Sequence, residues 1–286
     1  MTVRLRLRPF ATAAAATLTA VTLAACGTGG DGPAGATKPA SLAHVHGLGV
    51  DPADGRVYVA THDGLYSVGK GAEPQLAGDR KDDFMGFTVT GKGTFIASGH
   101  GAPGSGRPAN LGLIESKDAG LTWTSPSLSG EADFHSLDAA GGTVYGYKGG
   151  RIRVTRDLKT WEDRATLKAL DLAAGPGEGE RLLATTAEGV VASSDGGRTF
   201  GKATGAVQAH VSWPAEKALF GVDPSGKLSR SEDGGATWSL ISAVPGGAPQ
   251  ALTAVDAQRV LVATQSGIHE SRDGGKTFVL LAPLAS

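Results

Sequence analysis

Histidine supplies the most conspicuous chemistry in this chain. Of its seven histidines, His44, His46 and His62 fall within the single stretch LAHVHGLGVDPADGRVYVATHDGLY. A neutral imidazole accepts protons near physiological pH and ligates zinc, copper or nickel. In an extended segment His44-x-His46 turns both rings to the same side. Carboxylates accompany the histidines: Asp82 and Asp83 follow the first group, and Glu131 and Asp133 precede His135. Two chemistries are therefore in reach. His44, His46, His100 and His135, with Asp133 nearby, are candidate ligands for Zn or Cu, although no spacing specific to one metal fixes a cofactor. Asp83 and Asp133 are candidate partners in a paired-carboxylate hydrolysis.

The elements that must position these residues are set by an internal repeat. SKDAGLTW (116–123), SSDGGRTF (193–200), SEDGGATW (231–238) and SRDGGKTF (271–278) share one pattern, and TRDLKTW (155–161) is a shortened fifth copy. Their aspartates, Asp118, Asp157, Asp195, Asp233 and Asp273, follow one another at steps of 38 to 40 residues. Asp and Ser side chains hydrogen-bond the backbone of a tight turn, and Gly supplies its positive φ. The final Trp or Phe packs where the next strand begins. Short alternating apolar runs bounded by Gly, Pro, Asp or Asn surround each copy and read as strands. ALDLAA, RLLATT, GVVASS and FGKAT, for instance, form one unit of four.

These octapeptides resemble the Asp-box, or BNR, repeat of sialidase-like β-propellers. The resemblance implies an all-β fold and places each box between the third and fourth strands of a blade. Six units beginning near 45, 85, 134, 167, 207 and 249 predict a six-bladed β-propeller of four-stranded antiparallel blades. The first unit carries GKGAEP where a box would stand, and the chain has no room for a seventh.

Strand alternation then assigns faces. The starts of first strands and the loops between second and third strands share one face; the Asp-boxes lie on the other. Six of the seven histidines fall on the first face, with His269 the exception. Aligned first strands predict a ring of His46, Met85, His135, Lys168, Gln208 and Gln250, which are candidate ligand-binding residues together with His44, His100 and Asp133. Behind them come small residues, then a third position apolar in five blades, where His210 reads as a packed core histidine. Residues 98–112, SGHGAPGSGRPANLG, lengthen blade two on the same face and carry His100 and Arg107 as a rim or lid.

The N-terminus adds a location. Arg4, Arg6 and Arg8 precede a short apolar run that ends Leu-Ala-Ala-Cys-Gly at 23–27, which resembles the lipobox of bacterial lipoprotein signal peptides. The resemblance implies cleavage after residue 25, lipidation of Cys26, and anchoring to the outer face of the cell membrane. Residues 26–40 read as a flexible Gly/Pro/Ala tether, and 41–286 as the propeller. Cys26 is the sole cysteine, so the fold has no disulfide. Loss of three arginines on cleavage deepens a formal net charge of −1. Nothing there indicates a nucleic-acid surface.

Three functions fit this sequence. One is a scaffold that binds a protein, glycan or small molecule at the histidine-rich mouth, as the likeness to sortilin-type and photosystem-assembly propellers implies. The second is a sialidase-like exo-glycoside hydrolase. That family's Arg-Ile-Pro motif does not occur, and Tyr58, Tyr66, Tyr145 and Tyr147 fall in second and third strands. The third is a transition-metal-binding surface protein. Asp-boxes specify fold rather than activity, so whether the chain is an enzyme stays open at this level.

Overall fold

The computed structural model describes residues 42, 44–178 and 180–284. The expected signal peptide, Cys26 and the expected 26–40 tether lie outside the described residues. Those described form six antiparallel sheets in strict sequence order, each a blade of a β-propeller. The inner strands, which line the axis, are Val45–Val50, Asp83–Gly91, Ser136–Ala140, Leu172–Ala174, His210–Ala215 and Pro249–Ala254.

The apolar residues fall into six clusters, one in each gap between neighbouring blades. In the second strand of blade four, Leu182 and Ala184 face blade three while Leu183 faces blade five. A strand covered on both sides must be apolar at every position, which is why Val57–Thr61, Leu182–Thr186 and Val260–Thr264 are buried throughout.

The boxes close as their chemistry requires. Ser193 donates to Asp195 Oδ1 at 2.7 Å and accepts the Gly197 N–H at 2.8 Å. Asp195 in turn accepts the Thr199 N–H at 2.9 Å and its hydroxyl at 2.6 Å. Trp123, Trp161, Phe200, Trp238 and Phe278, the terminal aromatics, each pack into the gap with the preceding blade. Phe134 and Trp161, for example, stack with ring centroids 4.7 Å apart.

Blade four departs from its expected four full strands. FGKAT supplies only a bridge, Val190 to Thr204, in place of an outer strand. Gly205 follows in the left-handed region, at a φ of +68°, and leaves the pleat where Trp238 of the next blade presses close.

Polar side chains on the inner strands fasten each blade to the next. The Leu172 N–H donates to Ser136 Oγ at 3.1 Å, Ala174 N–H to Asp138 Oδ2 at 2.8 Å, and Val211 N–H to Asp171 Oδ2 at 3.1 Å. At the closure, the Val45 N–H donates to Gln250 Oε1 at 2.9 Å, and Leu42 forms a parallel bridge with Leu284. Closure thus uses a short N-terminal segment as well as packing.

Candidate functional site

Strand pairing fixes the ring at the mouth. Gly47, Gly86, Ser136, Asp171, His210 and Ala251 occupy equivalent positions, because each faces the corresponding second-strand residue of its own blade. The preceding ring is therefore His46, Met85, His135, Leu170, Ala209 and Gln250. Lys168 and Gln208, predicted there, are displaced by two residues and one residue. Blade four's inner strand is only Leu172–Ala174, and the irregular chain before it hides the register. Lys168 is exposed away from the ring, whereas Gln208 is buried. His210 is likewise corrected: it lines the channel, with Nδ1 3.7 Å from Asp171 Oδ2.

His46, Met85 and Gln250 share a further feature. Each sits at a register shift in its inner strand, between Val45 and Gly47, Phe84 and Gly86, and Pro249 and Ala251. A bulge re-aims the side chain it carries. Gln250 uses this to bind the Val45 backbone, so it serves closure. Met85 stays half-buried between the histidines of blades one and three in ring order.

Five of the histidines divide into two groups, each centred on one carboxylate. In the first, His46 Nε2 and His62 Nδ1 lie 3.6 and 3.0 Å from Asp83 Oδ1. The two nitrogens are 3.2 Å apart. His44 completes the group, its ring stacked on His62 at 5.6 Å and edge-on to His46 at 5.0 Å. Burial, reinforced by the charge of His62, pushes His46 down to about 4, so it is neutral at pH 7. His44 is lowered too, by partial burial first and by His62 second.

His62 is held by its own turn: Thr61 Oγ1 donates to Gly64 O at 2.9 Å and accepts the Asp63 N–H at 3.1 Å. Asp83 depends on Gly99, at φ 146°, where a Cβ would stand 1.9 Å from the Asp83 carbonyl oxygen.

The second group joins blades two and three. His100 Nε2 and His135 Nε2 lie 3.0 and 3.1 Å from the same oxygen, Asp133 Oδ2. His100 Nδ1 is also 3.0 Å from Ala109 O, which ties it to the long loop. That loop is pinned from beneath. Asp82, fully buried, accepts Arg80 Nε at 2.6 Å, Arg107 Nε at 2.8 Å and the Ala102 N–H at 2.8 Å. Burial alone would raise the Asp82 pKa, but these donors outweigh it and hold the carboxyl below its ordinary value. Residues 98–112 thus form a fixed rim.

Below the mouth the channel narrows to a polar cavity of about 80 Å³. Asp138, not among the sequence's candidates, lines it and accepts the Ala139 and Ala174 N–H groups, both at 2.8 Å. Burial pushes its carboxyl up to about 6, against the pull of those donors, and the charge of Asp171 adds to the rise. An acidic residue facing inward from a strand of small and apolar neighbours was the available signal.

A separate groove of about 930 Å³ lies on the Asp-box face between blades six and one, lined by Arg56, Lys70, Glu270 and Leu281 among others. Of the predicted residues it contains only the box aspartate Asp273, and none of the candidate ligand-binding or metal-ligating residues.

No family model matches the chain, and no curated protein matches it by sequence. Its similarity is to solved structures. YCF48 bound to D1 peptide superposes with a TM-score of 0.53 at 17% identity, with 87% of each chain covered. PorZ, a surface component of the type-IX secretion system of Porphyromonas gingivalis, gives a TM-score of 0.54 at 12% identity over 87% of this chain and 39% of its own. An ancestral GH74 enzyme gives 0.51 at 12% identity over 85% of this chain and 38% of its own. The chain thus spans under half the length of the last two. At these identities the likeness speaks for fold.

Proposed function

We propose that this protein is a lipid-anchored, extracytoplasmic Asp-box propeller that binds a protein or peptide ligand at its histidine-rich mouth. The observation that carries this reading is convergence: His46, His62, Asp83, His100, Asp133 and His135 come from three blades to one face, inside a rim fixed by Asp82. Rigid polar groups around a concave mouth suit recognition. The peptide bound by YCF48 supports a ligand of that class. A hydrolase is less well supported, because Asp83 and Asp133 each stand beside their own pair of imidazoles. The lipid on Cys26 would hold the mouth within reach of envelope proteins.

Site-specific photocrosslinking in cells tests the docking reading. A crosslinker at Met85 is expected to capture a defined envelope partner, and one at Thr199 on the Asp-box face is not. Identical products from both positions, or none from Met85, would remove the mouth as a docking site. Cys26→Ala is expected to move the protein from the membrane to the soluble fraction; unchanged membrane retention would remove the anchor.

A further inference from the structure

The first histidine group is built unlike a hydrogen-bonded ornament of the mouth. His46 Nε2, His62 Nδ1 and Asp83 Oδ1 form a compact triangle with sides of 3.2, 3.0 and 3.6 Å. Ligand atoms around a four-coordinate transition ion, with bonds of about 2.0–2.1 Å, lie about 3.3 Å apart. The triangle therefore already matches one face of such a coordination shell.

Its internal bonding is also incomplete. Asp83 Oδ1 is buried and has no aligned hydrogen-bond donor, although two imidazole nitrogens stand beside it. His46 Nε2 is nearly equidistant from both ring nitrogens of His62, at 3.2 and 3.3 Å, so it is directed at neither. A buried carboxylate oxygen left without a donor keeps the full cost of its lost hydration. A cation among these three atoms satisfies all of them at once.

The surroundings fit the same role. His46 is aimed by a strand bulge, His62 by a closed Thr-x-x-Gly turn, and Asp83 by the close approach that Gly99 permits. Rigid placement from three separate elements is what a metal site needs. His44 packs against both rings from the exposed side. The second group differs: His100 and His135 both contact Asp133 Oδ2 but do not gather with it into a compact three-ligand set among the described residues.

We propose that His46, His62 and Asp83 bind a divalent first-row transition ion of the kind imidazole prefers, Zn²⁺ or Cu²⁺, with a remaining coordination position open toward the mouth. Of the four histidines that the sequence offered as ligands, only His46 belongs to this set: His44 packs beside it, and His100 and His135 contact Asp133 instead. His62, which is not among the sequence's ligand candidates, is within it.

This proposal stands independently of protein docking at the same mouth. The full chain, purified without a histidine tag and stripped with chelator, is titrated calorimetrically with ZnCl₂ and separately with CuCl₂. One ion per chain is expected to bind with at least one of the two salts. His62→Ala is expected to weaken that binding at least tenfold, and Asp83→Asn comparably. His62 is exposed, so its truncation leaves the core intact; unchanged thermal unfolding of the metal-free variant verifies this. His100→Ala is expected to bind like the parent. Absence of one-to-one binding for both ions, equal binding by His62→Ala, or an equal loss in His100→Ala would each overturn the assignment. Crosslinking at Met85 that persists in His62→Ala would separate failure of the metal site from failure of docking.

Discussion

Asp138 shows how a single side chain in this channel couples fastening to charge. Its carboxylate accepts two backbone N–H groups, one of them from blade four, yet enclosure raises it to about 6 from the usual 3.8. Asp171, from the adjacent blade, lines the same cavity with His210, His46 and His135, and its charge adds to the rise. The folded state thus binds more protons at Asp138 than the unfolded chain between about pH 4 and 6. Its contribution to stability is greatest below that window and declines as pH rises through it. In urea unfolding from pH 4 to 7, the native protein should lose about 1–3 kcal/mol relative to Asp138→Asn. Parallel stability profiles would show that Asp138 titrates normally. At this scale the sequence was only partly legible. His46 could be found because bulge and strand start coincide in register with His135. Asp171 and His210 were missed because only inter-strand pairing reveals a shift of one or two residues. His62 was undervalued because its neighbours Asp63 and Gly64 mark a turn, and it is that turn which swings the ring onto Asp83.

The repeated octapeptide turn was legible almost completely, since its bonds join residues two to four positions apart: Ser to Asp, Ser to Gly, and Asp to Thr. Local bonds leave a local pattern, whereas the missing outer strand of blade four depends on Trp238 from another blade and leaves none. The copies are unequal in strain. After the aspartate, Gly196, Gly234 and Gly274 adopt φ of 70°, 72° and 75°, but the blade-two box has Ala119 at 58° and the shortened copy has Leu158 at 61°. A side chain in that region costs about 1–2 kcal/mol, partly offset by glycine's greater freedom when unfolded. Ala119→Gly should therefore stabilise the protein by about 0.5–1 kcal/mol. Gly234→Ala should destabilise it by a similar amount, because a Cβ there would meet Trp213 no closer than 3.4 Å and only the backbone conformation is at issue. Shifts in the urea midpoint measure both. If neither midpoint moves, the box turn tolerates the left-handed conformation through its side-chain bonds alone.

At the scale of the ring, one gap is built differently from the other five. Every gap from blade one through blade six receives the aromatic that ends a box, but blade one has no box, so the gap between blades six and one has neither Trp nor Phe in its core. The groove of about 930 Å³ opens there, bounded by the 3–4 turn of blade one and the box of blade six. Leu42 offsets part of the deficit: it is 1% exposed, packs with Ile268, Leu281 and Ala282, and bridges to Leu284. Gln250 adds a polar fastening on the channel side. A ring closed by weaker packing at one seam should open at that seam first, because local stability follows buried apolar contact. Leu42→Ala should cost about 2–5 kcal/mol. Its effect should be uneven: amide exchange should accelerate in Val45–Val50 and Pro249–Ala254, while Ser136–Ala140 and Leu172–Ala174 keep their protection. A uniform rise across all six inner strands would mean that the propeller opens as one unit and that the seam carries no special weakness.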